Sequence, residues 1–309
     1  MPATRAVFQG QPVWELRNGN ARAVIAPQAG GRLLFWEIGG RRLLHWPDQA
    51  DWSNPAKIRG GNPLLFPFIA RHFVDGVVGR WRDGSGTVRD MPMHGFARNA
   101  VFTAVVPRTP TSPNDEEGPV ELAMEIAPTD QTRAWYPFDF RFRVVHVLDR
   151  NSLTVRFETE NRSQAPMPYQ AGHHFYFALP AEERSQWSLL LPPAHQARQA
   201  SDGSIASNGT SLSRFSLDDA SLLDCFHILD APGRLQLQHP DGRTIDFLFP
   251  PDGVPWHTVT TWTEKPESPF YCVEPWLGLP NAIHHGQGLR LLVPGATESA
   301  TCTLRASGW

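Results

Sequence analysis

Apolar and polar residues alternate along much of this chain. Val120, Leu122, Met124 and Ile126 are apolar, while Glu121 and Glu125 between them are charged. A period of two sends successive side chains to opposite faces, which predicts a strand with one buried and one wetted face. The same alternation recurs with Phe140, Phe142 and Val144 against Arg141 and Arg143, and with Leu153, Val155 and Phe157 against Thr154, Arg156 and Glu158. Leu235 and Leu237 set against Arg234, Gln236 and Gln238 repeat it once more. Each run reads as an antiparallel strand. Shorter β-branched or aromatic runs predict further strands at 101–106, 187–191, 245–249, 289–293 and 301–305, most with Gly, Pro or Asp near their ends.

No amphipathic helix of ten or more residues stands out. The 29 prolines are spread throughout, a distribution that interrupts helices and suits sheet edges and turns. Residues 107–119, rich in Pro, Thr and acidic side chains, lie between two strand patterns and predict a hairpin loop joining them. No fixed-period repeat is present, which disfavours propellers and solenoids. The expected fold is all-β, a large antiparallel β-sandwich, with residues 1–309 forming one domain.

Composition narrows the partners. The net charge is −3 with both signs interspersed, so no global field attracts nucleic acid or an anionic membrane, and neither is expected as a partner. Cys225, Cys272 and Cys302 lack the spacing of a thiolate metal site or a disulfide framework and are expected to be buried, reduced thiols. The first residues carry no apolar signal stretch and no segment reaches 18 consecutive apolar residues. The expected compartment is the cytoplasm, and the oligomeric state is left open.

Three segments, far apart in sequence, concentrate His, Arg and carboxylates beside Gly and aromatics. They are Met93-His94-Gly95-Phe96-Ala97-Arg98-Asn99, Gly172-His173-His174-Phe175-Tyr176-Phe177, and Val273-Glu274-Pro275-Trp276-Leu277-Gly278-Leu279-Pro280-Asn281-Ala282. Sites in β-sandwiches are often assembled from distant strands, and aromatic rings on a concave sheet suit the apolar face of a sugar.

In content and order these segments resemble the signatures of the galactose mutarotase-like superfamily, which holds aldose 1-epimerases and hexose-6-phosphate mutarotases. The resemblance runs over roughly residues 10 to 305. It implies His174 as general acid, although the proline usual after that histidine is Phe175 here. It implies Glu274 as general base within its Glu-Pro-Trp-x-Gly-x-Pro-Asn-Ala pattern, the most specific match. Substrate contacts are implied for His94, with Arg98 beside it, for Arg71 after Gly60-Gly61-Asn62-Pro63, and for Asp224 ahead of Cys225-Phe226. The implied reaction interconverts the anomers of an aldohexose: a base takes the C1 hydroxyl proton, an acid protonates the ring oxygen, and the aldehyde recloses on its other face. That chemistry needs no cofactor and no metal.

Alternatives stay open on the residues alone. Lys57-Ile58-Arg59, with Arg98, resembles the hexose-6-phosphate branch, where a cationic pocket meets a phosphate. A non-catalytic carbohydrate-binding protein would keep the aromatic platform without turnover. Arg71 and Arg98 could instead pin loops, Asp224 could cap a turn, and a lone strand histidine is more often structural than catalytic. The His pairs at 173–174 and 284–285 suggest a metal site, but the cupin spacing is absent.

Overall fold

The computed structural model describes residues 3–105 and 118–309. The central part of the 107–119 loop lies outside the described residues, but the strands on either side of it, Thr103–Val105 and Val120–Ile126, pair antiparallel as the hairpin reading requires. Every strand pair among the described residues is antiparallel, and the longest helical segments are six-residue turns at Asp130–Trp135 and Ala181–Gln186.

Three sheets organise the chain. A meander of Thr4–Phe8, Gln11–Asn18, Ala21–Ala26, Arg32–Ile38 and Arg41–Arg42 opens it. A nine-stranded sheet has Ser152–Asn161 near its centre, with the C-terminal strand Thr297–Ser307 inserted between it and Thr244–Leu248. Ser152–Asn161 alternates half-exposed and buried residues along its whole length, as its sequence predicts. A six-stranded sheet runs in the order Phe175–Phe177, Tyr271–Trp276, Thr258–Trp262, Cys225–Leu229, Ala194–Gln199, Ile205–Thr210.

The nine- and six-stranded sheets share one core. Val155, Phe157 and Leu304 from the first meet Phe175, Phe177, Val259 and Val273 from the second. Phe247 bridges the layers, with its ring 5.6 Å from that of Phe177. Burying a side chain of this size stabilises the fold by about 1.5–3 kcal/mol, and truncating Phe157 to Ala is expected to cost about 3–5 kcal/mol.

The six-stranded sheet carries few of the predicted runs, and the reason is burial. All six residues of Tyr271–Trp276 are buried, so both faces are shielded and the alternation of a one-sided strand is lost. Period two still governs geometry: Val273 points into the sandwich core, and Glu274, paired with Thr260 on the neighbouring strand, points the other way. No helix among the described residues is long and apolar enough to cross a membrane.

Candidate active site

Behind the sandwich core, the outer face of the six-stranded sheet closes one side of a cavity of about 530 Å³. All six residues singled out in the sequence line it: Arg71, His94, Arg98, His174, Asp224 and Glu274.

The run Gly172–Phe177 sends its two histidines, just ahead of strand Phe175–Phe177, to opposite sides. His173 turns inward, its ring 4.4 Å from Phe157 and 4.6 Å from Phe175. His174 turns into the cavity and stacks on Tyr176 at 4.7 Å and 10°. Phe175, which replaces the expected proline, fills the core. Asn62 fixes the pair: its Oδ1 accepts the backbone N–H of His174 at 2.9 Å, and its Nδ2 lies 3.1 Å from Nδ1 of His173. Gly172 is required for a steric reason, because a Cβ there would meet Cδ1 of Trp276 at 2.6 Å.

Glu274 is 1% exposed and His174 9%. Oε1 of the carboxyl lies 3.4 Å from Nδ1 of the imidazole, close enough to pass a proton but not aligned as a hydrogen bond. Oε2 of Glu274 and Oγ1 of Thr260 are buried without a hydrogen-bond partner. Desolvation, with the charge of Asp224 adding to it, pushes the Glu274 carboxyl well above the usual carboxylate range. Desolvation also holds the His174 imidazole well below its ordinary value, helped by the positive charges of Arg98, Arg32 and Arg59. Both shifts favour the uncharged form of each group, a carboxyl that keeps its proton beside a neutral imidazole.

His94 brings its ring to 5.6 Å from that of His174 from a left-handed conformation, φ 65°, a strained state for a non-glycine residue. Its Nδ1 accepts the Ala70 N–H at 3.1 Å, and its own N–H donates to Ala70 O at 2.9 Å. With Nδ1 accepting, the neutral ring carries its proton on Nε2. Gly95 follows because a Cβ there would stand 2.1 Å from Phe66 O.

The family model described as aldose 1-epimerase matches residues 12–192, more than half of the chain. The chain belongs to the aldose 1-epimerase family. The matched stretch holds Arg71, His94, Arg98 and His174 and ends before Asp224 and Glu274. Among curated relatives, the chain is similar to the chromosomal LacX protein of Lactococcus lactis, 24% identical over 83% of this chain and 85% of that one. It is also similar, over 48% of its own length and 41% of the relative's, to a provisionally named glucose-6-phosphate 1-epimerase of Cenchrus ciliaris, at 27% identity. A crystal structure of a galactose mutarotase-like protein from Clostridium acetobutylicum shares the fold with a TM-score of 0.82 at 16% identity, covering 99% of this chain and 98% of that one.

Further groups stand around this epimerase-family cavity. Tyr176, Phe226, Trp262 and Trp276 give it aromatic walls, and Arg59 and Arg198 add to its lining. Arg198 donates to Ser221 O and Leu223 O, securing the turn before Asp224, which itself sits at φ 49°. Arg59 pairs with Glu264 at 2.8 Å and lies over the Trp262 ring. Arg98 differs: its buried Nε has no partner, and burial lowers its guanidinium to about 10, with Arg59 adding repulsion. Behind the wall, Arg32 is buried, donates to Ile58 O, and is likewise lowered to about 10, chiefly by desolvation. Asn62 and Tyr176 were within reach of the sequence, since they sit inside quoted segments. Arg32 and Arg198 gave no local signal. The three cysteines are free and buried.

Proposed function

We propose that this member of the aldose 1-epimerase family interconverts the α and β anomers of an aldohexose, with Glu274 and His174 as the acid/base pair. The observation that carries the reading is the buried Glu274–His174 contact of 3.4 Å, open to a cavity with aromatic walls. O1 and O5 of a pyranose are both bonded to C1, so a base and an acid side by side are what the reaction requires.

The single proton of the pair closes the cycle. When it moves to His174, the Glu274 carboxylate can take the proton of the C1 hydroxyl while the imidazolium protonates O5, and the C1–O5 bond breaks to give the aldehyde. The pair is then neutral, the form that burial favours. After rotation about C1–C2, neutral His174 takes the C5 hydroxyl proton, O5 attacks C1 from the other face, and Glu274 returns a proton to O1. His94, donating from Nε2, and Asp224 supply hydroxyl contacts, and Arg71 and Arg98 complete the polar lining. No cofactor enters this sequence, and the whole chain acts as one unit. The buried free thiols suit a reducing, cytoplasmic compartment.

A second reading is favoured by one observation. Arg59, Arg71 and Arg98 all line the cavity, and Arg98 has an unpartnered buried Nε, an arrangement suited to the phosphate of a hexose 6-phosphate.

The test adds the purified protein to freshly dissolved α-D-glucose, α-D-galactose and α-D-glucose 6-phosphate, and follows anomeric equilibration by NMR, with Glu274→Gln as control. Acceleration of the free sugars supports the first reading, and acceleration confined to the phosphate ester supports the second. Sugar binding without acceleration of any of them would leave a non-catalytic carbohydrate-binding protein.

A further inference from the structure

Strand Tyr271–Trp276 alternates its side chains, so Cys272 lies on the same face as Glu274. One donor atom from each of Cys272, Glu274 and His174 falls within 4.8 Å of the other two. Anomer exchange uses the histidine and the glutamate and leaves the thiol without a part. Two further features point to a ligand. His174 and Glu274 are each more than nine-tenths buried, and Nδ1 of the one and Oε2 of the other have no hydrogen-bond partner.

We propose that His174, Cys272 and Glu274 form an inhibitory site for a thiophilic divalent cation of the Zn²⁺ or Cd²⁺ class, seated at the floor of the sugar cavity.

The donor set is mixed sulfur, nitrogen and oxygen, the set that zinc accepts and that magnesium and calcium do not favour. A tetrahedral zinc with bonds of about 2.0–2.3 Å holds its donors roughly 3–4 Å apart, so small rotamer adjustments close the remaining gap. The fourth position faces the cavity, where Glu274 and His174 both form part of the lining. Arg98, Arg32 and Arg59 oppose a cation here, since their positive charges already depress His174. Charge is balanced when the Cys272 thiol and the Glu274 carboxyl each give a proton to bulk water, leaving a thiolate and a carboxylate against the ion's two positive charges. Ligation removes the lone pairs that move protons at O1 and O5, so turnover stops. The inhibition rests on the acid/base reading above, whereas the binding does not.

The experiment titrates the full chain with Cd²⁺ and follows thiolate-to-metal charge-transfer absorption in the ultraviolet, with Zn²⁺ inhibition of glucose anomer exchange measured in parallel. One cadmium per chain is expected, released by a chelator. Cys272→Ser is expected to abolish the absorption and to weaken binding by more than the ~10-fold typical of an outer partner's loss. It should also leave turnover resistant to Zn²⁺. Glu274→Gln should weaken cadmium binding by at least ~10-fold, and Cys225→Ser should change neither signal. Absent absorption in the natural protein, absorption surviving Cys272→Ser in a folded protein, or unchanged zinc inhibition in that variant would overturn the proposal. The absorption arms remain decisive if the protein turns over no sugar, so failure of the site and failure of the mutarotase reading give different results.

Discussion

The side chain of Asn62 holds the backbone of His174 in place, its Oδ1 2.9 Å from the histidine N–H, while its amide nitrogen reaches His173 on the other side of the strand. The residue is fully buried, and it couples the core histidine to the cavity histidine. Asn62→Ala leaves a buried N–H and an imidazole nitrogen unpaired, a loss of about 1–3 kcal/mol for each group. The expected outcome is a protein destabilised in denaturant unfolding, with kcat for anomer exchange reduced about 10- to 100-fold and KM changed less, because the asparagine positions His174 and does not line the cavity. A rise in KM with kcat unchanged would place Asn62 in binding instead.

Under the proposed mechanism, Glu274 sets stability against function. Its folded-state pKa is raised by burial, so the folded protein keeps a proton that the unfolded chain releases above its ordinary value of about 4.5. The contribution to stability is present below that pH and is lost as pH rises toward the folded value, at up to ~1.4 kcal/mol per pH unit. Glu274→Gln cannot ionise. It is expected to lower anomer exchange by about 10²- to 10⁴-fold while raising Tm at pH 7–8, with the difference shrinking toward pH 4.5. A variant less stable than the natural protein at pH 8 would show that the carboxyl is not held neutral by its surroundings.

Part of this arrangement is legible in the chain. Ser152–Asn161 shows its half-buried register in its letters, because one face is wetted. Tyr271–Trp276 does not, because both faces are covered, and it was the pattern around Glu274, not periodicity, that singled it out. Alternation also decides between His173 and His174, the two residues leading into strand Phe175–Phe177, since only one of two such neighbours faces the cavity. The contact between Asn62 and His174 spans 112 positions, and the placement of Arg32 behind the cavity wall depends equally on tertiary packing. No local spacing encodes either.

Catalysis by a pair holding one proton predicts a broad pH profile. Removal of that proton requires ionising a carboxyl raised by burial and by Asp224. Addition of a second requires charging an imidazole depressed by burial and by three arginines. The plateau of kcat/KM should therefore extend to pH values below the ordinary imidazole value of about 6.5, and its alkaline fall should lie well above the ordinary carboxyl value, with both limbs belonging to the pair. Asp224→Asn removes one cause of the Glu274 shift and should move the alkaline limb to lower pH. A limb that does not move would separate Asp224 electrostatically from the pair.

His146 offers a test away from the cavity. Both ring nitrogens are buried without a partner, and desolvation lowers its pKa to about 3. The unfolded chain takes up that proton near pH 6.5 and the folded protein does not, so stability falls as pH drops from about 6.5 toward 3, by up to ~1.4 kcal/mol per pH unit. His146→Phe keeps a ring in the core and removes the titration. Its stability should decline less steeply between pH 6 and 4 than that of the natural protein. Equal slopes would mean that the acid limb is carried by the other buried histidines.

Arg98 separates the two substrate readings. Its guanidinium lines the cavity, with a buried Nε that has no partner within the protein. A charge-assisted bond to a phosphate is worth about 1.5–3 kcal/mol, which corresponds to roughly 10- to 100-fold in kcat/KM. Arg59 is partly engaged by Glu264, so Arg98 has more to give. If the substrate is a hexose 6-phosphate, Arg98→Gln should cut kcat/KM for the ester by that factor and change free glucose turnover little, and the loss should shrink as ionic strength rises. If the substrate is a free aldohexose, removing a positive charge near His174 relaxes the depression of its pKa, and the variant should shift the acid limb of glucose turnover upward without ester-specific loss. The pH shift is expected under either reading, so the ester-specific loss and its salt dependence are what distinguish them.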